Sequence, residues 1–165
     1  MNTAVRIVVG IADMKLTSAR GEQIITHALG SCLGITVYDP VAGVGGMLHA
    51  MLPQSSIDAA KAAENPSMFV DSGVPRLFQE AYKLGAQKAR IEVKVAGGAA
   101  TQTFSEQEDY FQIGKRNMVM LRKLLWKNGV MIKAEDVGGT ASRTMLLDLQ
   151  DGVVTLKIQG VDRTL

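Results

Sequence analysis

Residues 26–34 read THALGSCLG and contain Cys32, the only cysteine of the 165-residue chain. The apolar run ITVY follows at residues 35–38, then DPVAG at 39–43 and VGGMLHAML at 44–52. Branched and aromatic residues favour strands, whereas Asp, Pro and Gly favour turns. The stretch therefore predicts a β-hairpin, and the pairing of its two strands decides which side chains meet.

The apolar side chains indicate a register for this hairpin. A pivot between Pro40 and Val41 gathers the branched side chains on one face and predicts that Cys32 faces His49 on the other. Directly opposed residues have Cβ atoms about 4.5–5.5 Å apart, a distance over which an imidazole reaches a thiol. A one-residue bulge in the loop would instead move His49 to the opposite face.

A cysteine opposite a histidine is a pattern typical of nucleophilic catalysis. A free thiol has a pKa of about 8.5, and a neighbouring imidazole can take its proton, form an ion pair and later protonate a leaving nitrogen. Thr26 is a candidate for orienting the ring of His49 if the chain bends back at Gly30. Backbone N–H groups of Ser31 and Cys32 in that turn are candidates for holding a substrate oxyanion.

Simpler interpretations of these residues stay open on residue types alone. A lone cysteine at the start of a strand, such as Cys32, is commonly a small buried hydrophobe. His27 lies next to the site and is a rival base, although its position beside Thr26 points it to the other face of an extended strand.

Composition bounds the class of protein. The chain is 47% hydrophobic but only 5% aromatic, so residues 1–165 are expected to form a single domain with an aliphatic core. Net charge +2, from 18 basic and 16 acidic residues, gives no bulk argument for nucleic-acid or membrane binding. One cysteine excludes an internal disulfide framework. Without a secretory signal pattern or an apolar run of about 18 residues, we expect a cytoplasmic protein with no direct membrane insertion.

Periodic patterns predict the other elements. Apolar residues recur at helical spacing in two segments, and alternating or continuous apolar runs predict strands. The predicted helices lie within 68–83 and 115–128, and the predicted strands at 4–12 (mostly buried), 23–26, 90–95, 130–134, 143–149 and 153–158. The polar segment 54–66 is predicted to be an exposed linker, with a lid or docking loop as the alternative. The acidic segment 101–110 is predicted to be a solvated loop rather than a metal site.

Strands outnumber helices in this prediction, and several of them pair as hairpins. An Asp-Gly pair at residues 151–152, between two alternating runs, is a strong hairpin signal. We therefore predict one α+β domain in which a mixed, largely antiparallel set of sheet layers carries two main helices on one side.

Five ordered motifs add a family resemblance. They are THALGSC at 26–32, GGMLHAMLP at 45–53, KVAGGA at 94–99, IGKRN at 113–117 and EDVGG at 135–139. Together they resemble the CheD family of chemoreceptor glutamine deamidases. The resemblance implies that Cys32 is the nucleophile, His49 the base and Thr26 the third member of a triad. It also implies a layered fold similar to that of the cytotoxic necrotizing factor deamidases.

The resemblance carries expectations about substrate and partners. Family members act on glutamines of the helical cytoplasmic region of chemoreceptors, and some also hydrolyse receptor methyl esters. A CheC-type phosphatase of the response regulator is an expected partner, while nucleic acid is not. The expected reaction converts glutamine to glutamate through a thioester on Cys32, and it needs no metal or organic cofactor.

Two other functions remain open from the sequence. The chain could be an adaptor that binds receptor and phosphatase with little catalysis. A redox switch at Cys32 would need an intermolecular partner, because the chain has no second cysteine.

Overall fold

The computed structural model describes residues 4–100 and 112–165; the predicted acidic loop at 101–110 lies outside them. Within the described residues the chain forms ten strands and three α-helices. The strands are β1 (Val5–Val9), β2 (Asp13–Thr17), β3 (Glu22–Leu29), β4 (Leu33–Asp39), β5 (Val44–Ala50), β6 (Glu92–Gly97), β7 (Ile132–Val137), β8 (Arg143–Asp148), β9 (Val154–Ile158) and β10 (Val161–Thr164). The helices are α1 (Ala59–Glu64), α2 (Val70–Lys83) and α3 (Ile113–Lys127).

The strands form two five-stranded sheets. Sheet A has the order β1-β3-β8-β9-β10, and sheet B the order β2-β5-β4-β6-β7. All neighbouring strands are antiparallel except the pairs β1–β3 and β6–β7. One apolar core lies between the two sheets, and a second lies between sheet B and the helices α2 and α3. The predicted α+β class, with layered sheets and two main helices on one side, is confirmed.

The predicted hairpin forms, but its register differs from the prediction by two residues. Gly34 faces His49, and Leu33 faces Ala50, so the predicted opposition of Cys32 and His49 is wrong. Because the shift is an even number of residues, every side chain stays on its predicted face. His49 therefore still lies on the face of β5 that Cys32 approaches from the start of β4.

The shift arises because the loop of the hairpin has four residues, 40–43, where the predicted loop had two. Asp39 stabilises this loop. Its carboxylate accepts hydrogen bonds from the N–H groups of Val41 at 2.9 Å and Ala42 at 3.0 Å, and from the distant Gln87 at 2.9 Å. Burial raises the pKa of Asp39, but the guanidinium of Arg90 and these N–H groups outweigh it and lower the pKa to about 2. Contacts from outside the hairpin thus favour a four-residue loop.

Four other segments differ from the sequence prediction. Two of them, β2 and β10, are strands that the sequence did not predict. Segment 54–66 is not an irregular linker but two 3-10 turns, Ser55–Ile57 and Pro66–Met68, around α1. Asp58 stabilises the start of α1 by accepting a hydrogen bond from the N–H of Lys61. The first strand is largely exposed rather than buried, since β1 is an edge strand of sheet A. Within the described residues, no helix is long and apolar enough to cross a membrane.

Candidate active site

Thr26 and His49 meet between the two sheets. Thr26 lies on β3 of sheet A, His49 lies on β5 of sheet B, and both are completely buried. The Thr26 hydroxyl lies 2.7 Å from Nδ1 of His49 and 2.8 Å from the carbonyl oxygen of Val9. Packing of the two sheets, and not the hairpin alone, therefore fixes the imidazole.

These two hydrogen bonds determine the tautomer of His49. The Val9 carbonyl can only accept, so the single proton of the Thr26 hydroxyl is donated to it. The hydroxyl oxygen must then accept a hydrogen bond from Nδ1–H of His49. The other ring nitrogen, Nε2, is left with a lone pair, and it is buried without a hydrogen-bond partner among the described residues. Nε2 of His49 is thus available to accept a proton.

A bulge in β3 makes this arrangement compatible with the core. Pairing of β3 with β8 shifts between Thr26 and Leu29, and Ala28 at the bulge has a positive φ of 58°. In a regular strand, residues three apart point to opposite faces, but both Thr26 and Leu29 are fully buried. His27, in the bulge, is exposed. The rival base is therefore turned away from the site, as predicted.

Gly34 allows the sheets to approach each other beside His49. A Cβ at Gly34 would lie 2.7 Å from Sδ of Met145 and 2.8 Å from a methyl carbon of Leu29. A larger residue here would require the ends of the Met145 and Leu29 side chains to move.

Cys32 lies in the turn that connects the two sheets, one residue before β4 begins. It packs against the inter-sheet core and is only partly exposed. Extending the pairing of β4 and β5 by one residue makes Cys32 the diagonal neighbour of His49, for which Cα separations are about 7–8 Å. Thr26 and His49 are thus in direct contact, Cys32 packs against the same inter-sheet core, and no hydrogen bond joins the thiol to Nε2.

Three successive carbonyl groups of this turn are held by hydrogen bonds. The carbonyl of Gly30 accepts from Ala99 N–H at 2.9 Å, and that of Cys32 accepts from Gly98 N–H at 2.9 Å. The carbonyl of Ser31 accepts from the side-chain amide of Asn117 at 3.0 Å. In a planar trans peptide the N–H points away from the preceding carbonyl. The N–H groups of Ser31 and Cys32 are therefore turned to the other side of the turn.

Asn117 is a residue whose importance the sequence did not reveal. It lies on α3, is completely buried, and donates both amide hydrogens, one to Ser31 and one to the carbonyl of Met51 at 3.0 Å. One side chain thereby ties the cysteine turn to the chain just beyond β5. The only sequence signal was a polar residue on the apolar face of a predicted helix, within the motif at 113–117.

A close backbone contact supports the turn from β6. Gly97 has a positive φ of 110°, and a Cβ there would lie 2.2 Å from the carbonyl oxygen of Cys32. Buried Arg143 donates hydrogen bonds to the carbonyls of Gly97 and Gly138 and forms an ion pair of 2.9 Å with Asp136. Only glycine fits at position 97.

Burial controls the charge state of the thiol and the imidazole. It raises the pKa of the Cys32 thiol, an effect that the residue's own backbone N–H partly offsets. It lowers the pKa of His49 to about 4. Burial therefore disfavours the thiolate of Cys32 and the imidazolium of His49 alike, which is the opposite of what the predicted ion pair requires.

An open cleft of about 1040 Å³ leads to Cys32. Its walls come from the cysteine turn, the chain beyond β5, the Gly-rich ends of β6 and β7, and the first turns of α3. His49 does not line the cleft, so the thiol is the group of the site that a substrate meets first. Such a cleft admits a side chain presented on the surface of another macromolecule.

The fold and the site together define a class of protein. It is a two-sheet α+β protein in which a cysteine at the base of an open cleft lies in front of a buried His–Thr pair. The family model described as CheD chemotactic sensory transduction matches residues 51–158. The chain belongs to the CheD family.

Relatives extend the match over Cys32 and His49, which precede the segment that the family model covers. The chain is 45% identical over 154 residues to a probable chemoreceptor glutamine deamidase CheD 1 of Syntrophus aciditrophicus, covering 93% of this chain and 94% of that protein. It is 44% identical over 160 residues to a probable chemoreceptor glutamine deamidase CheD of Solibacter usitatus, covering 97% and 93%.

Two solved structures show a more distant likeness. Hypothetical protein YfiH of Bacillus licheniformis has 15% identity and a TM-score of 0.46, over 75% of this chain and 49% of that one. Protein NMB0706 of Neisseria meningitidis has 8% identity and a TM-score of 0.48, over 82% and 63%.

Proposed function

We propose that this protein hydrolyses the carboxamide of glutamine side chains on chemoreceptors to glutamate, with Cys32 as nucleophile, His49 as base and Thr26 as the group that orients the base. The observation that carries the proposal is the unpartnered Nε2 of His49, held by Thr26 behind the cysteine turn. The names of the relatives supply the substrate class.

In the first step the thiol of Cys32 attacks the amide carbon while its proton passes to Nε2 of His49. Because burial disfavours the charged form of both groups, the charge separation develops during the attack and not before it. The bond from sulfur to carbon forms, and the carbonyl electron pair moves to the oxygen. Thr26 stabilises the developing imidazolium by accepting the hydrogen bond from Nδ1–H.

The oxyanion is stabilised by backbone donors. The N–H groups of Ser31 and Cys32 are not engaged by any backbone or side-chain acceptor elsewhere in the described residues. Their direction is fixed because Ala99 and Asn117 hold the two preceding carbonyls. Donors that are oriented before the reaction cost no reorganisation when the charge develops.

The tetrahedral intermediate then collapses. The imidazolium of His49 gives its proton to the amide nitrogen, the carbon–nitrogen bond breaks, and ammonia leaves a thioester on Cys32. Water then attacks the thioester carbon while Nε2 takes one of its protons, and the sulfur departs and regains that proton. The products are glutamate and ammonia. A receptor methyl ester would pass through the same thioester, with methanol as the leaving group.

The partners follow from the same proposal. Chemoreceptor cytoplasmic helices are the substrate, which requires the protein to act in the cytoplasm, and a CheC-type phosphatase is a proposed binding partner. The open shape of the cleft supports a macromolecular substrate over a small molecule.

The test uses a chemoreceptor cytoplasmic fragment and mass spectrometry. Wild-type protein should convert specific glutamines to glutamate, Cys32→Ala should not, and the matched Cys32→Ser variant should retain binding with little conversion. Binding by the wild type without any conversion would contradict the proposal and favour an adaptor.

A further inference from the structure

The outer face of α3 has an unusual charge. The helix contains five basic residues and no acidic residue, whereas the whole chain has nearly equal numbers of each. The exposed residues along this face, here called the α3 strip, are Lys115, Val119, Arg122, Lys123 and Trp126. Among the described residues, Glu135 of β7 forms an ion pair of 2.9 Å with Arg122. Against that one carboxylate the strip carries three basic side chains, those of Lys115, Arg122 and Lys123, so positive charge is in excess in this part of the described structure.

The strip also exposes large apolar groups. Trp126, the only tryptophan of the chain, has 85% of its surface exposed, and Met131 next to it has 87%. Both line a shallow groove of about 630 Å³ beside β7, the edge strand of sheet B. Exposed side chains of this size in one place are typical of interaction sites, where tryptophan often contributes most of the binding energy.

The α3 strip is continuous with the cleft that contains Cys32. Lys115, Val119 and Arg122 line that cleft, and Arg122 also lines the groove with Trp126. Trp126 follows Lys115 by eleven positions along α3, so the strip is about 16 Å long, or about three helical turns. A partner bound along it would place one of its side chains at the cleft.

We propose that the α3 strip is a docking surface for an acidic amphipathic helix of the substrate, which it holds so that a glutamine on that helix enters the cleft. This inference rests on the proposed function, since the substrate is a glutamine-bearing helix. The basic side chains attract the acidic face of the helix, and Trp126 and Met131 contact its apolar stripe. A second copy of this chain would instead bring like charges together.

Binding can be tested without catalysis, because Trp126 is the only tryptophan. We would titrate the Cys32→Ala protein with a synthetic helix of about 20 residues, roughly 30 Å long, that carries glutamates, an apolar stripe and one glutamine. We expect a saturable blue shift of the Trp126 emission that weakens with salt. A matched helix with lysines in place of the glutamates should cause no shift.

Four outcomes of the titration would overturn the docking surface. The first is saturated binding of a labelled acidic helix with an unchanged Trp126 emission, and the second is no binding at all. The third is a blue shift caused by anionic phosphatidylglycerol vesicles but not by the helix, which would indicate a membrane surface. The fourth is a shift that depends only on protein concentration, which would indicate self-association.

Kinetics provide the second readout. Trp126→Ala and Lys123→Glu should each raise KM for a helical glutamine substrate by about tenfold, as expected when a residue that contributes to an interface is removed, and leave kcat unchanged. Neither should affect a short unstructured glutamine peptide. Val161→Ala and Lys61→Glu are matched controls, since both residues are exposed and lie outside α3.

The two proposals fail in different ways. If Trp126→Ala and Lys123→Glu raise KM equally for the helical substrate and the short peptide, or raise it for neither, the docking surface is overturned and deamidation stands. Conversion of neither substrate by the wild type would refute the deamidase, and the fluorescence titration would still decide the docking surface.

Discussion

Asn117→Ala should reduce deamidation much more than it reduces the reactivity of the thiol. The variant removes two hydrogen bonds of 3.0 Å, one to Ser31 and one to Met51, from a fully buried site. Without the first bond, the peptide plane between Ser31 and Cys32 can rotate, and the Cys32 N–H is no longer held toward the oxyanion. Removing one oxyanion donor costs about 10²–10³ in kcat, which sets the upper limit of the effect.

The stability cost follows from the same contacts. Each buried carbonyl left unsatisfied costs about 1–3 kcal/mol, but the variant also removes Oδ1 of Asn117, which is buried without a partner. We therefore expect a net loss of about 1–3 kcal/mol in the free energy of unfolding. Asn117→Ser, which keeps one donor, should fall between wild type and Asn117→Ala in both stability and kcat.

Two assays on the same folded samples separate positioning from a structural defect. Ammonia release reports kcat, which depends on the oxyanion donors, whereas alkylation of Cys32 by iodoacetamide forms no oxyanion. We expect kcat to fall more than tenfold while the alkylation rate changes less than about twofold. Asn128→Ala is the matched control. The side-chain amide of Asn128 likewise donates a hydrogen bond to a backbone carbonyl, that of Leu124, but at an exposed site. An unchanged kcat, or equal losses in both assays, would refute the positioning role of Asn117.

Four further predictions follow from the site. Thr26→Val should lower kcat about tenfold to a hundredfold because the tautomer is no longer fixed, while Thr26→Ser should stay near wild type; a kcat of Thr26→Val equal to wild type would contradict the tautomer argument. Alkylation of Cys32 as a function of pH should show a midpoint above the ordinary thiol range, because burial raises the pKa of this thiol; a plateau extending below neutral pH would instead indicate an ion pair. Burial lowers the pKa of His49 from 6.5 to about 4, so as the pH falls the imidazole is protonated in the unfolded state before it is protonated in the folded state. Up to about 3 kcal/mol of stability should therefore be lost between pH 6.5 and pH 4. Denaturant titrations at several pH values should show a smaller loss in His49→Gln. Gly97→Ala should destabilise the protein by about 2 kcal/mol or more, because its Cβ meets the carbonyl of Cys32, and thermal melts should show a smaller effect for Gly85→Ala, whose φ is similar but whose surroundings are open.

Local pattern was sufficient for most of the elements and for the side of the hairpin on which the key residues lie, but it did not predict the strands β2 and β10. Apolar alternation placed His49 on the face that Cys32 approaches, and the even register shift did not change this. Helical spacing predicted α2 and α3 to within a few residues of their ends. The segment 54–66 was missed because its residues carry no apolar period, and its turns depend on capping by Asp58 and Asn65.

The sequence by itself determined the fold class, the two main helices and, through its motifs, the family. Only the tertiary structure decided the register, which depends on Arg90 and Gln87 binding Asp39, and the contact of Thr26 with His49, which depends on sheet A packing on sheet B. Periodicity reports which side of an element is buried, because burial repeats along the chain with the geometry of that element. It does not report which distant side chain lies opposite, since that depends on how separate layers pack.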